Sequence, residues 1–132
     1  MPQPNAYFWG LQSPSREIKM IFGSFAPAGT GSPTDAKGDG WSAARTAEGV
    51  FTVTFTHNWK DLIACGADLR LDASADSVAQ VGTYVAASRT LLIRTLTAGS
   101  DDDIAADADN RVNFWAAFKR TTTTPLSTAT VS

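Results

Sequence analysis

The sequence predicts an all-β fold: an antiparallel β-sandwich, jelly-roll-like, with an extended N-terminal arm and a short C-terminal tail. Three observations carry this. Apolar residues recur with a period of two, most clearly in Val50-Phe51-Thr52-Val53-Thr54-Phe55-Thr56, where Phe51, Val53 and Phe55 share one face and the threonines the other. Such segments recur along the chain between turn signals, with no long helical stretch among them. The 132 residues are 43% hydrophobic, enough for one domain with one core.

Residues 1–17 hold three prolines and the adjacent aromatics Tyr7, Phe8 and Trp9, the mark of an extended arm with a large apolar load. The sandwich domain spans residues 18–120. Ile18 to Phe25 reads as its first strand, with Ile18, Met20 and Phe22 on one face and a bend invited at Gly23. Residues 26–40 read as a loop, broken by Pro33 and Gly38-Asp39-Gly40. Trp41 to Thr46 forms a short strand, and Glu48-Gly49 turns it into the Phe51 strand as a hairpin.

The segment His57 to Asp61 interrupts the pattern. Leu62 to Leu71 then places Ile63, Cys65, Ala67, Leu69 and Leu71 on one face, with Cys65 as a buried, inert thiol. Val78 to Val85 follows, with Val81 and Val85 inward. After a turn at Ala87-Ser88-Arg89, Thr90 to Thr97 opposes Leu91 and Ile93 to Leu92, Arg94 and Leu96. The last strand, Arg111 to Lys119, sets Val112, Phe114, Ala116 and Phe118 against Asn113, Trp115 and Lys119. Residues 121–132 open with Thr121-Thr122-Thr123-Thr124-Pro125 and read as a frayed tail.

Charge and chemistry narrow the function. The net charge of -2 and scattered arginines speak against nucleic acid as a partner. No apolar run nears the roughly 18 residues that span a bilayer, and no secretory signal is visible. With one cysteine there is no internal disulfide, which fits a reducing cytoplasm. His57 is the only histidine and no G-x-S-x-G elbow exists, so a Ser-His-Asp site has no foundation and the expectation is a non-catalytic protein. His and Cys occur once each, which removes the usual zinc sites. Gly38-Asp39-Gly40-Trp41-Ser42-Ala43 matches a dinucleotide fingerprint by letter but leads into a strand, not a helix. Asp101 to Asn110 packs five carboxylates into ten residues, chemically open to calcium, but without the EF-hand spacing or its central glycine. It reads as a solvated acidic loop in which an Asp caps one helical turn around Ile104-Ala105-Ala106. No cofactor or metal is expected.

The order of these parts carries a resemblance. Tyr7-Phe8-Trp9-Gly10-Leu11 leads through Ser13-Pro14-Ser15-Arg16 to the first strand. Then come Ala44-Arg45-Thr46-Ala47-Glu48-Gly49-Val50-Phe51-Thr52-Val53-Thr54-Phe55, the acidic loop, and Asn110-Arg111-Val112-Asn113-Phe114. Over residues 7–120 this resembles the small β-domain structural proteins of tailed-bacteriophage head-gene regions, among them capsid decoration, or cement, proteins. The resemblance implies a virion protein, made in the bacterial host cytoplasm, that binds the outer surface of an assembled capsid and stabilises it. Its partners would be the major capsid protein and copies of itself, as a trimer or dimer.

Candidate docking residues are Tyr7, Phe8, Trp9 and Arg16. The aromatics either reach a neighbouring subunit or cover the domain's own sheet, since interfaces and cores use the same residues. Arg16 either meets a partner's carboxylate or stays solvated. The competing reading is a carbohydrate- or receptor-binding sandwich of a phage tail or fibre. Exposed Trp41, Trp59 or Trp115 would serve it as stacking platforms.

Overall fold

A computed structural model describes residues 18–57, 59, 61–73 and 75–119. Nine strands follow in order: β1 (Ile18–Ala28), β2 (Gly31–Lys37), β3 (Trp41–Ala47), β4 (Val50–Phe55), β5 (Asp61–Arg70), β6 (Ser77–Val85), β7 (Thr90–Thr97), β8 (Ser100–Asp101) and β9 (Arg111–Lys119). They form two antiparallel sheets, the β-sandwich expected. Sheet A runs β2-β1-β9-β5; sheet B runs β3-β4-β7-β6, with β8 paired to β7. The hairpins β1–β2, β3–β4, β6–β7 and β7–β8 each stay within one sheet, and the other four connections cross between sheets. No helix of the described residues is long and apolar enough to cross a membrane.

The core lies between the sheets. Phe25, Phe51, Val53, Phe55, Leu91, Ile93, Val112, Ala116 and Phe118 are fully buried there. Phe55 meets Phe118 edge-on at 4.8 Å, and Phe25 meets Phe51 at 5.0 Å. Edge and tilted contacts suit ring quadrupoles better than face-to-face stacking. The alternations read in the Phe51, Leu91 and Val112 strands are those of β4, β7 and β9.

Several expectations are corrected. Residues 26–40 are not a loop: β1 continues to Ala28, Gly29-Thr30 turns the chain, and β2 returns. β2 has no apolar alternation because it is an edge strand exposed over most of its length, so Pro33 is tolerated and periodicity could not find it. β1 keeps Ile18, Met20 and Phe22 on one face, the outer one, with Ile21, Gly23 and Phe25 on the core side, and no bulge forms at Gly23 in its ladder with β9. In β5 a bulge between Leu62 and Ala64 shifts the phase. Leu62, Cys65, Ala67 and Leu69 pack on the core, and Ile63 turns out at 43% exposure. A bulge between Val81 and Tyr84 in β6 likewise puts Tyr84, not Val85, against the core. Cys65 itself is half-buried rather than buried, and burial pushes its thiol pKa up.

No helical turn forms around Ile104, and Asp103 is no cap. Arg45 Nε and the backbone N–H of Gly49 both donate to Asp103 Oδ1 at 2.9 Å, and Arg45 Nη2 donates to Oδ2 at 2.7 Å. This fork holds the β3–β4 turn against the chain leaving β8. Gly49, at φ 64°, sits too close for a side chain: an added Cβ would stand 2.5 Å from the Asp102 nitrogen. The buried Thr95 closes the junction, donating from Oγ1 to the Asp102 carbonyl at 2.7 Å.

Two outcomes follow from this packing. Phe55→Ala should cost about 3–5 kcal/mol in chemical denaturation, as for a fully buried ring. The Arg45 hydrogen bonds hold the Asp103 carboxyl below the ordinary carboxylate range. A carboxyl with a depressed folded-state pKa stabilises above its unfolded-state pKa, and that stabilisation is lost as pH falls through the folded value. Wild type should therefore lose stability in acid by more than Asp103→Asn does, measured as thermal midpoint from neutral pH downward.

Candidate functional site

The outer face of sheet A is where apolar side chains face away from the core. Register alone assembles it. Phe22 of β1, Trp115 of β9 and Gly66 of β5 form one row across three strands. Met20, Ala117 and Ala64 form the next row, and Ser24, Asn113 and Asp68 the row on the other side. All point outward because successive residues of a strand alternate, and Ile21, Gly23, Phe114 and Ala116 hold the inner positions.

Phe22 is 51% exposed and Trp115 38%. The Nε1 edge of the Trp115 indole lies over Gly66, where an added Cβ would come within 2.6 Å of Nε1. The glycine thus lets the indole settle onto the sheet. Between these residues runs an open groove of about 530 Å³, bounded at its polar end by Asp68, Asn113 and Lys37.

The polar row is held by its own bonds. Asn113 Nδ2 donates to Asp68 Oδ1 at 3.0 Å. Arg111 Nε donates to Ser24 Oγ at 2.7 Å, while Nη1 and Nη2 donate to the Asp35 carboxylate and carbonyl at 2.8 and 2.7 Å. Asp35 also meets Lys37 at 3.2 Å, and these hydrogen bonds, Lys37 first, lower its pKa. Asp35 has φ 49°, unusual for a non-glycine residue, and the Arg111 clamp accompanies it.

The residues singled out in the sequence are placed as follows. Tyr7, Phe8, Trp9 and Arg16 lie outside the described residues. Of the three tryptophans named as sugar platforms, Trp41 and Trp59 pack against the core with their Nε1 atoms buried. Trp115 alone of the three stands out on a sheet face. The carboxylates of the acidic loop are dispersed: Asp103 to Arg45, Asp109 to Arg70 at 3.4 Å, Asp101 toward Arg94 at 4.0 Å, and Asp107 to the Asp109 backbone N–H at 2.9 Å. Among the described residues no three His, Cys, Asp or Glu side chains are placed to hold a metal ion.

Phe22 was missed as a site residue. Its signal was present, since Ile18-Met20-Phe22 alternates cleanly, but Ile21 and Phe25 make the opposite face apolar too. The arrangement offers a binding surface: aromatic, shallow and open, with hydrogen-bonding groups at one end.

No protein-family model, no curated protein and no solved structure matches this chain.

The double substitution Phe22→Ser/Trp115→Ser should shift the denaturation midpoint by less than about 1 kcal/mol in stability, as for surface changes away from buried features. It should also markedly reduce the fluorescence of an added hydrophobic dye. A large loss of stability would mean the two rings belong to the fold.

Proposed function

We propose that this chain is a non-catalytic structural protein that binds the outer surface of an assembled bacteriophage capsid and stabilises it. The sequence resemblance supplies the viral context. The observation that carries a docking role is the Phe22–Trp115 row on the outer face of sheet A, large rings spending apolar surface on solvent. Soluble domains rarely keep contiguous apolar patches without use. Aromatic residues at the centre of an interface dominate its energetics, and a polar rim such as Asp68, Asn113 and Lys37 suits their border. The partner is then the major capsid protein, and the site of action the virion surface. Attachment in a reducing cytoplasm would rest on burial rather than on disulfides.

A second reading has one observation in its favour. An exposed indole beside the Asn113–Asp68 pair is also how a sheet surface grips a sugar ring, by stacking and by paired hydrogen bonds. This would suit a tail or fibre module.

Cryo-electron microscopy of the source particle, with and without the purified chain, separates the two. Density for this chain on the capsid lattice is expected, with sheet A toward the shell. Phe22→Ser/Trp115→Ser should weaken cosedimentation with capsids at least tenfold, about 1.4 kcal/mol. Density confined to the tail, or a saccharide whose binding is lost in Trp115→Ala, would overturn the capsid reading.

A further inference from the structure

β1 is eleven residues long, but its two edges are unequal. On one side β9 pairs with it from Ile18 to Phe25 without a bulge. On the other, β2 pairs only at Ser24, Ala26 and Ala28. Among the described residues, Ile18–Gly23 therefore has a neighbouring strand on one edge only.

The Phe22 carbonyl lies on the side away from β9 and is covered there by the chain just past β2, so among the described residues the uncovered edge runs from Ile18 to Ile21. Gly38 lies against that carbonyl, so close that an added Cβ would stand 2.5 Å from its oxygen. Peptide groups two residues apart along a strand point to the same side, so Ile18 and Met20 present their N–H and C=O groups along the same edge. A row of unpaired backbone groups is a template for another strand, and proteins usually blunt it. The strands β2, β3, β5 and β6 at the other sheet edges each carry a bulge in their ladder. The Ile18–Gly23 stretch carries none, contains no proline, and has Lys19 as its one charged residue.

We propose that this stretch of β1 is a strand acceptor, and that its occupant is the Tyr7-Phe8-Trp9 segment of a second copy of the chain. Seventeen residues lie outside the described structure on this side and end at Ile18, where the open edge begins. Prolines stand at 2, 4 and 14, so residues 5–13 form a proline-free window that keeps an N–H at every position. That window is centred on aromatic residues, which favour strands. Fully extended, seventeen residues reach about 55 Å. The nine residues of β9 span about 30 Å, so the arm is long enough to cross onto a neighbour.

The connection favours a neighbour over the chain's own edge. Tight hairpins use turns with positive φ at their first central residue, whereas Pro14 is locked near -65°. A residue before proline, such as Ser13, favours extended backbone over a turn that would fold the arm back at once. An added strand would set Tyr7 and Trp9 on one face and Phe8 on the other, and would widen the outer face beside Met20 and Phe22. The open edge stands without the capsid reading; only that widening bears on it.

The test uses the isolated full-length protein, so its failure is distinct from failure of capsid binding. In a Cys65→Ser background, one tagged chain carries Trp9→Cys or Tyr7→Cys, and a co-expressed second chain carries Met20→Cys. A disulfide-linked heterodimer on oxidation is expected from at least one pair. Sedimentation velocity should show an oligomer for the wild type and its loss in Tyr7→Ser/Phe8→Ser/Trp9→Ser, with an unchanged β-type circular dichroism spectrum. The proposal is overturned by any one of three results. These are a monomeric wild type, an oligomer of unchanged mass in the triple variant, or a link that forms only within one chain carrying Trp9→Cys and Met20→Cys.

Discussion

Phe114 stands edge-on to Trp41 at 4.8 Å, and both rings press on Gly23 of the opposite strand segment. An added Cβ at Gly23 would overlap the Phe114 ring and come within 2.6 Å of Trp41 Cε2. Close packing at interior density leaves no slack for that methyl group. The sandwich therefore needs a residue without a side chain at the inner position of β1. Once Gly23 faces in, strand alternation sends Phe22 and Ser24 out. The outer face of sheet A, with its exposed aromatic row, is thus a consequence of how the core is filled. The same glycine device recurs outside: Gly66 makes room for the Trp115 indole.

Charge in this chain works mainly as stitching. Only 18% of the residues are charged, and several arginines face aspartates far away in sequence. The Arg45–Asp103 pair is the most sheltered, two-pronged, and shares its carboxylate with the Gly49 N–H. It joins the β3–β4 turn to the segment that leaves sheet B for β9. Such forked, charge-assisted bonds fix geometry as well as add energy. Arg111 does the same for β2, binding both Asp35 and Ser24, and so anchors an edge strand that has few apolar contacts of its own. The exposed Arg70–Asp109 and Arg94–Asp101 contacts contribute little by comparison.

The face and the open edge belong to the same strand. β9 supplies one neighbour for all of the N-terminal half of β1, while β2 turns away beyond Ser24. Among the described residues this edge has no second strand, and a backbone edge bordering an exposed aromatic row offers a second chain both hydrogen bonds and apolar contact. Strand addition draws affinity from the first and selectivity from the second. On the proposed capsid reading the chain needs both a surface for the shell and a link to neighbouring copies, and the two candidates for these roles adjoin.

Fold class and most strands were legible in the sequence, because alternation is a local property of consecutive side chains. Phe51-Val53-Phe55 and Val112-Phe114-Ala116-Phe118 have one apolar side only, so their core faces could be read without a structure. Three things could not. β2 has no apolar face to read, since an edge strand held by backbone bonds and an Arg111 clamp needs none. Bulges at Leu62/Ala64 and Val81/Tyr84 shift the phase by local backbone geometry, which the residue types do not announce. In β1 both sides are apolar, so the choice between Ile21-Phe25 and Met20-Phe22 fell to the fit of Phe114 and Trp41 over Gly23. That fit joins Gly23 to a residue 91 positions away, and only the packed sheets bring them together.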